Sequence, residues 1–305
     1  MNFSVTVNDL SKNYGKKKEI KAVKEISFEV SKGELFGVIG PDGAGKTSLF
    51  RMLTTLLLPD GGNASVDGSD IVKDYKAIRN KVGYMPGRFS LYQDLSVEEN
   101  LDFFATIFNT TVEKNYQLIK DIYVQIEPFK KRKAGKLSGG MKQKLALCCA
   151  LIHRPVVLFL DEPTTGVDAL SRKEFWEMLK RLKEQNITIL VSTPYMDEAG
   201  LCDRIGLMQQ GKLLSVGTPK EITSSFKQTI LAVKAENMYA LLKDLNGYDD
   251  VEDAYSFGEY HHAVMKGNYN KETLQNYLEQ KSNEHLVIKN TEASIEDSFM
   301  QLMKK

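Results

Sequence analysis

The sequence has no long apolar run. Its longest unbroken one, Leu145 to Ile152, falls far short of the roughly 18 residues that a bilayer-spanning helix needs, so no spanning helix is expected. Cysteine is scarce. Cys148, Cys149 and Cys202 offer neither a pairing framework nor the ligand spacing of a zinc site, and two are adjacent within an apolar helical stretch, so they read as reduced core residues. Charge of one sign is missing too: 41 basic against 40 acidic residues leave a net +1, and no global field draws the chain to nucleic acid or anionic lipid. The basic run Lys16–Lys18 and the cluster Lys130–Lys133 read as solvated surface. The opening stretch MNFSVTVNDL places polar and acidic residues where a secretory leader needs a basic and then an apolar segment, so a cytosolic location is expected. Internal repeats and low-complexity segments are absent as well.

What is present suits one large and one small domain: 305 residues, 42% hydrophobic and 27% charged. Short β-branched runs at Leu35–Ile39, Val156–Leu160 and Thr188–Val191 alternate with longer helical patterns, which predicts an α/β domain built on a parallel sheet. Phe3–Val7 and Ile26–Val30 alternate apolar with polar residues, as half-buried antiparallel strands do. The pattern changes near Val216-Gly217-Thr218-Pro219, which sets the expected domains at 1–219 and 220–305. In the second, strands are expected at Ile230–Val233, His262–Met265 and Leu286–Ile288, with helices at Met238–Leu245 and Lys271–Gln280: a small α+β appendage.

Two motifs carry chemistry. Gly40-Pro41-Asp42-Gly43-Ala44-Gly45-Lys46-Thr47-Ser48 fits the P-loop pattern, placed directly after strand Leu35–Ile39 and before a helix expected over Ser48–Leu57. Its glycines let backbone N–H groups turn inward on a polyphosphate, and the helix start adds positive partial charge. Lys46 is assigned to the β and γ phosphates and Thr47 to Mg²⁺. The cradle alone leaves kinase, GTPase and ATPase open. The second motif is a buried strand ending in Asp161-Glu162, whose carboxylates strand alternation would place on opposite sides. Asp161 then serves Mg²⁺ and Glu162 polarises the attacking water as general base.

Upstream of that acid pair stands Leu137-Ser138-Gly139-Gly140-Met141-Lys142-Gln143, before a helix expected over Lys144–Ile152. With this stretch, residues 1–215 resemble the nucleotide-binding subunits of ABC transporters, of the ABC-2 export type. The resemblance implies a P-loop NTPase fold with an antiparallel β-subdomain and a helical signature subdomain, with ATP and Mg²⁺ as cofactors. It also implies that Leu137, Ser138, Gly139, Gly140 and Met141 close over ATP held by a partner's P-loop in a head-to-tail dimer. Tyr14 is similar to the aromatic that stacks on adenine, although a Tyr beside Gly is also a common turn. Asp168, in Thr165-Gly166-Val167-Asp168, matches the loop that communicates across the dimer, and Tyr92–Leu101 resembles the segment beside the groove for a permease's coupling helix. Ala293–Phe299 is similar to the closing sequence of the accessory domain on many such subunits.

Two positions depart from the family's pattern. Gly87 stands where a glutamine usually ligates Mg²⁺, and Gln93 is too far along the chain to replace it. Pro194, in Val191-Ser192-Thr193-Pro194-Tyr195, stands where the switch histidine usually lies; proline donates no proton, and the histidines, His153, His261, His262 and His285, lie elsewhere. The expectation is a subunit that binds ATP on its own P-loop and hydrolyses it slowly, at the inner face of the membrane. Its partners would be an integral permease and a second ATPase, with a heterodimer favoured over a homodimer and no nucleic acid. A non-transport ABC ATPase acting on ribosomes or DNA repair, or a nucleotide sensor, are the alternative functions.

Overall fold

The computed structural model describes residues 3–267 and 269–304, and the chain divides into two compact units between Pro219 and Lys220. The first unit opens with the strands β1 (Phe3–Tyr14) and β2 (Ile20–Ser31), paired antiparallel. Next come β3 (Leu35–Ile39), helix α1 (Lys46–Leu53), β4 (Gly61–Val66), the short β5 (Ser69–Asp70), α2 (Tyr75–Lys81) and β6 (Val82–Met85). Three helices then follow one another: α3 (Val97–Ile107), α4 (Val112–Tyr123) and α5 (Gly139–Leu151). The unit is completed by β7 (Val157–Asp161), α6 (Ala169–Glu184), β8 (Thr188–Thr193), β9 (Arg204–Gln209) and β10 (Lys212–Gly217).

These strands form two sheets. The order β2-β1-β4-β5 is antiparallel, and β1 buries Val5, Val7 and Leu10. The other sheet runs β10-β9-β3-β8-β7-β6, parallel from β9 through β6. Every residue of β3, β7 and β8 is buried, as expected of strands covered on both faces. Phe28 of β2 stacks on Phe36 of β3 at 5.2 Å and joins the two sheets; Phe50 of α1 meets Phe159 of β7 edge-on at 5.7 Å.

Several boundaries differ from the sequence reading. α1 stops at Leu53 and not at Leu57: the Thr54 hydroxyl bonds back to the Phe50 carbonyl at 2.8 Å, and Thr55 turns left-handed with φ +63°. α5 begins at Gly139, ahead of the predicted start at Lys144, because Ser138 caps it. β1 and β2 are each 12 residues long, their register interrupted by bulges that hide the alternation beyond Val7.

Helix α7 (Pro219–Ser224) carries the division between units. The second unit continues as β11 (Ile230–Lys234), α8 (Met238–Asn246), β12 (Val251–Phe257), β13 (Tyr260–Met265), α9 (Lys271–Gln280), β14 (Val287–Thr291) and α10 (Ile295–Met303). The succession β-α-β-β-α-β with sheet order β12-β13-β11-β14, antiparallel throughout, is a split βαβ arrangement. Edge strand β12, not predicted, reads VEDAYSF and buries only Val251 and Ala254.

Asp297 ties α10 to this sheet. It is fully buried and accepts from the Tyr255 hydroxyl and from His262 Nδ1, both at 2.7 Å, and from the Ser294 amide at 2.7 Å and hydroxyl at 2.6 Å. Burial alone would raise its pKa; the bonds from His262, Ser294 and Tyr255 outweigh this and hold it below the ordinary 3.8. A carboxyl depressed in the folded state contributes stability above its unfolded pKa and loses that contribution as pH falls through the folded value. Resistance of the second unit to urea should therefore fall as pH drops from about 4 downward, and Asp297→Asn should flatten that dependence. Asp297→Ala, which strands His262 and two hydroxyls, is expected to cost about 3–5 kcal/mol.

Candidate active site

Sheet register assembles the site. Ile39 at the end of β3 pairs with Thr193 of β8, Asp161 of β7 pairs with Ser192, and Met85 of β6 pairs with Leu160. The segments that leave these strands therefore emerge side by side: the P-loop from Gly40, Pro194 after β8, Glu162 after β7 and Gly87 after β6. All lie outside the carboxyl ends of parallel strands, where open α/β sheets bind ligands.

In the P-loop, Gly45 is the N-cap of α1 at φ +107°, and a Cβ there would come 2.2 Å from the Ala22 carbonyl. Gly40 has a different need: its Cβ would lie 2.0 Å from the Met208 carbonyl of β9. Both glycines are set by close backbone approach, and Gly45 by conformation as well. Asp42 and Gly43 are exposed, whereas Ala44 is buried; Pro41 accepts from the Ala44 amide at 3.2 Å and closes the turn. Tyr14, at the end of β1 and 36% exposed, bonds through its hydroxyl to Ser48 Oγ at 3.1 Å, so its ring stands at the start of α1.

Lys46 is only 3% exposed. Its ammonium donates to the carbonyls of Gly40 at 2.7 Å and Pro41 at 3.0 Å and pairs with Glu162 Oε1 at 3.1 Å. Thr47 Oγ1 lies 3.2 Å from Asp161 Oδ1, which also accepts from Ser192 Oγ at 2.6 Å. Two hydroxyls and a carboxylate thus converge, a hard-oxygen donor set of the kind that suits Mg²⁺.

The two acids diverge for a reason other than strand alternation. β7 ends at Asp161, and Glu162 takes a left-handed backbone at φ +51°, its amide held by the Ser192 carbonyl and Oγ, both at 3.0 Å. That turn swings Glu162 towards Lys46 while Asp161 points to Thr47. Strain of this kind in a non-glycine residue concentrates at functional sites. Ser192 was not singled out from the sequence; its signal is a polar residue where a buried apolar strand runs out.

Gly87 lies against the acid pair: a Cβ added there would be 3.0 Å from the Asp161 carbonyl and 3.7 Å from Glu162 Cβ. Pro194 directly follows Thr193, whose carbonyl accepts from the Gly40 amide at 3.2 Å. Both positions thus border the acids and the P-loop.

The stretch Leu137–Met141 heads α5. Ser138 and Gly139 are exposed, and Ser138 Oγ accepts from the Met141 amide at 3.3 Å as the N-cap of α5. Added Cβ atoms would bring Gly139 within 3.6 Å of the Gly166 carbonyl and Gly140 within 2.8 Å of Ser171 Oγ. Asp168 caps α6, accepting from the Ser171 amide at 3.0 Å and hydroxyl at 2.7 Å, and these bonds hold its carboxyl below the ordinary range. The start of α5 and the loop 165–168 are thus neighbours on one surface.

A groove of about 320 Å³ is lined by Tyr84, Met85, Pro86, Phe89, Phe104 and Phe108 among others. Tyr92–Leu101 flanks it; Tyr92 packs edge-on against Phe103 at 4.8 Å. Cys148, Cys149 and Cys202 are free and buried, and burial pushes their thiols up. Among the described residues no helix is long and apolar enough to cross a membrane.

Comparison with known proteins gives the family. The family model described as "ABC transporter" matches residues 23–165. The chain is 38% identical over 304 residues to the probable multidrug ABC transporter ATP-binding protein YbhF of Escherichia coli, covering 98% of this chain and 52% of that protein. It thus spans about half of YbhF's length. It is 32% identical over 276 residues to the doxorubicin resistance ATP-binding protein DrrA of Mycobacterium tuberculosis, covering 89% of this chain and 81% of DrrA. Among solved structures, cbiO1 of Clostridium perfringens, part of the ABC transporter complex cbiONQ, aligns with a TM-score of 0.65 and 26% identity, over 73% of this chain and 92% of that one. A P-loop built on β3, acids at the end of β7 and a capped signature helix, in a chain with these relatives, mean that it belongs to the ATP-binding proteins of the ABC transporter family.

Proposed function

We propose that this chain is the ATP-binding subunit of an ABC-2 type exporter, turning over MgATP to drive a separate membrane permease that holds it at the inner face of the membrane. The observation that carries this reading is the meeting of the start of α1 with the end of β7, where Lys46 pairs with Glu162 at 3.1 Å and Thr47 with Asp161 at 3.2 Å. Thr47 and Asp161 would hold Mg²⁺, which neutralises charge on the transferring phosphate. The chain's own residues supply the rest. Lys46 exchanges the Glu162 carboxylate for β and γ phosphate oxygens, and the released Glu162 takes the proton of the attacking water. Tyr14 offers its half-exposed ring to adenine.

Gly87 and Pro194 support a slow site of its own. Gly87 has no side-chain oxygen and Pro194 no proton to donate, although both stand beside the acids and the P-loop. The exposed N-terminus of α5, with Ser138, Gly139 and Gly140 at its head, is free to close over a triphosphate held by another subunit. A heterodimer, in which this signature completes a partner's faster site, fits that division better than a homodimer. The groove lined by Tyr84, Phe89 and Phe104 is where we seat the permease's coupling segment.

Titration calorimetry with MgATP tests the reading. Lys46→Ala removes charge-assisted hydrogen bonds of about 1.5–3 kcal/mol, so affinity should fall about 10- to 150-fold with the circular dichroism spectrum unchanged. No heat with the unaltered chain, or no loss in the variant, refutes it. Capture from detergent-solubilised membranes should recover an integral membrane protein; ribosomal RNA in its place would favour a non-transport role.

A further inference from the structure

A second buried carboxylate, outside the acid pair, binds the parts of the site together. Glu198 lies in the 3₁₀ turn Met196–Leu201 after β8 and is 2% exposed. Its two oxygens are taken by hydroxyls from two different segments: Thr164 Oγ1 donates to Oε1 at 2.9 Å, and Thr193 Oγ1 donates to Oε2 at 2.5 Å. Both threonines are buried. Thr193 is also bound on its other sides, its carbonyl to the Gly40 amide at 3.2 Å and its hydroxyl to the Tyr195 amide at 3.1 Å. Thr164 sits in the turn that carries the base: its carbonyl accepts from the Val167 amide, and the Glu162 carbonyl accepts from the Thr165 amide, each at 3.2 Å. Arg172, one turn into α6 beyond Asp168, stacks on Tyr195 at 4.4 Å and comes within 3.9 Å of Glu198 Oε1.

One carboxylate therefore spans from the P-loop entrance and the Pro194 position to the turn holding Glu162, and that turn runs directly into the loop 165–168. A buried carboxylate is costly to desolvate and persists where its partners fix both oxygens. An apolar strut would fill the same space, but it would leave two buried hydroxyl protons without their carboxylate acceptor and the two segments free to slide.

Resting on the ATPase reading above, we propose that Glu198 is a positioning residue. It sets the distance between the Glu162 turn and the P-loop, and it passes displacement of the loop 165–168 to the general base. A misplacement of about 1 Å at a reacting group lowers rates about 10²-fold.

The test uses the full chain with three near-isosteric variants, Glu198→Gln, Thr164→Val and Thr193→Val. In single-turnover hydrolysis of MgATP each should lower the rate constant about 10- to 100-fold, while the Kd for MgATP measured by calorimetry stays within about threefold. Hydrogen exchange with MgADP bound should be faster at the amides of Thr165 and Val167 in the Glu198→Gln and Thr164→Val chains. A purely packing role would leave Glu198→Gln, of nearly equal volume, with the parent rate and the parent exchange; that result overturns the proposal. A parallel fall in affinity and rate also overturns it, since it would place Glu198 in binding. If the unaltered chain shows no hydrolysis, the ATPase reading fails by itself, and exchange at Thr165 and Val167 alone decides the positioning role.

Discussion

Glu162→Gln is expected to lower the single-turnover rate of ATP hydrolysis by about 10²- to 10⁴-fold, the usual contribution of a positioned general base. The same substitution should tighten nucleotide binding. In the free chain the Glu162 carboxylate lies 3.1 Å from a Lys46 ammonium that is nearly inaccessible to solvent, so an incoming triphosphate competes with it for the lysine. Glutamine removes that competitor and leaves a buried cation short of an anion, a state that a phosphate relieves. A severalfold lower Kd together with a collapsed rate would match a base that doubles as a placeholder for phosphate. An unchanged rate in rapid-quench measurements would remove Glu162 from the mechanism.

Pro194→His is expected to act in the opposite direction, raising turnover about 10²-fold, the scale on which a single positioned proton donor works. Strand register makes the position suitable. Pro194 leaves β8 between the strand that feeds the P-loop and the strand that ends in Asp161, with Thr193 already bonded to the Gly40 amide. An imidazole there projects from the one strand end flanked by both. Gly87→Gln should add less, since its Cβ would sit 3.0 Å from the Asp161 carbonyl and the loop must yield to admit it. Phosphate release by the histidine variant at the parent rate would show that the proline does not limit the reaction. Turnover by the unaltered chain at about 1–10 per second, abolished by Glu162→Gln, would rule out a slow site altogether.

Much of this framework is legible in the residues, for identifiable reasons. Leu35–Ile39 has the same bounds in sequence and structure because a strand buried on both faces is a run without polar side chains, here bounded by Glu34 and Gly40. The P-loop, the acid pair and the signature are each contiguous, so each stands where one strand ends or one helix begins. What distance in the chain separates is not legible. Ser192 reaches Asp161 across paired strands, and Glu198 reaches Thr164 between the turns that follow those strands, and only the pairing of β7 with β8 brings these side chains together. Nor did alternation foresee the φ of +51° at Glu162, since a sharp turn after a strand reverses the parity rule. β12 escaped notice because a sheet edge that buries only two side chains carries almost no apolar signal.

The burial of all three thiols leaves the native surface silent to maleimide reagents, because each sulfur is both shielded and held as the unreactive thiol. A single cysteine engineered at an exposed position outside the site, such as Glu177 of α6, would then be the only thiol to accept a spin or fluorescent label. Distances read between two such labels would follow the approach of two cassettes without first stripping the native cysteines.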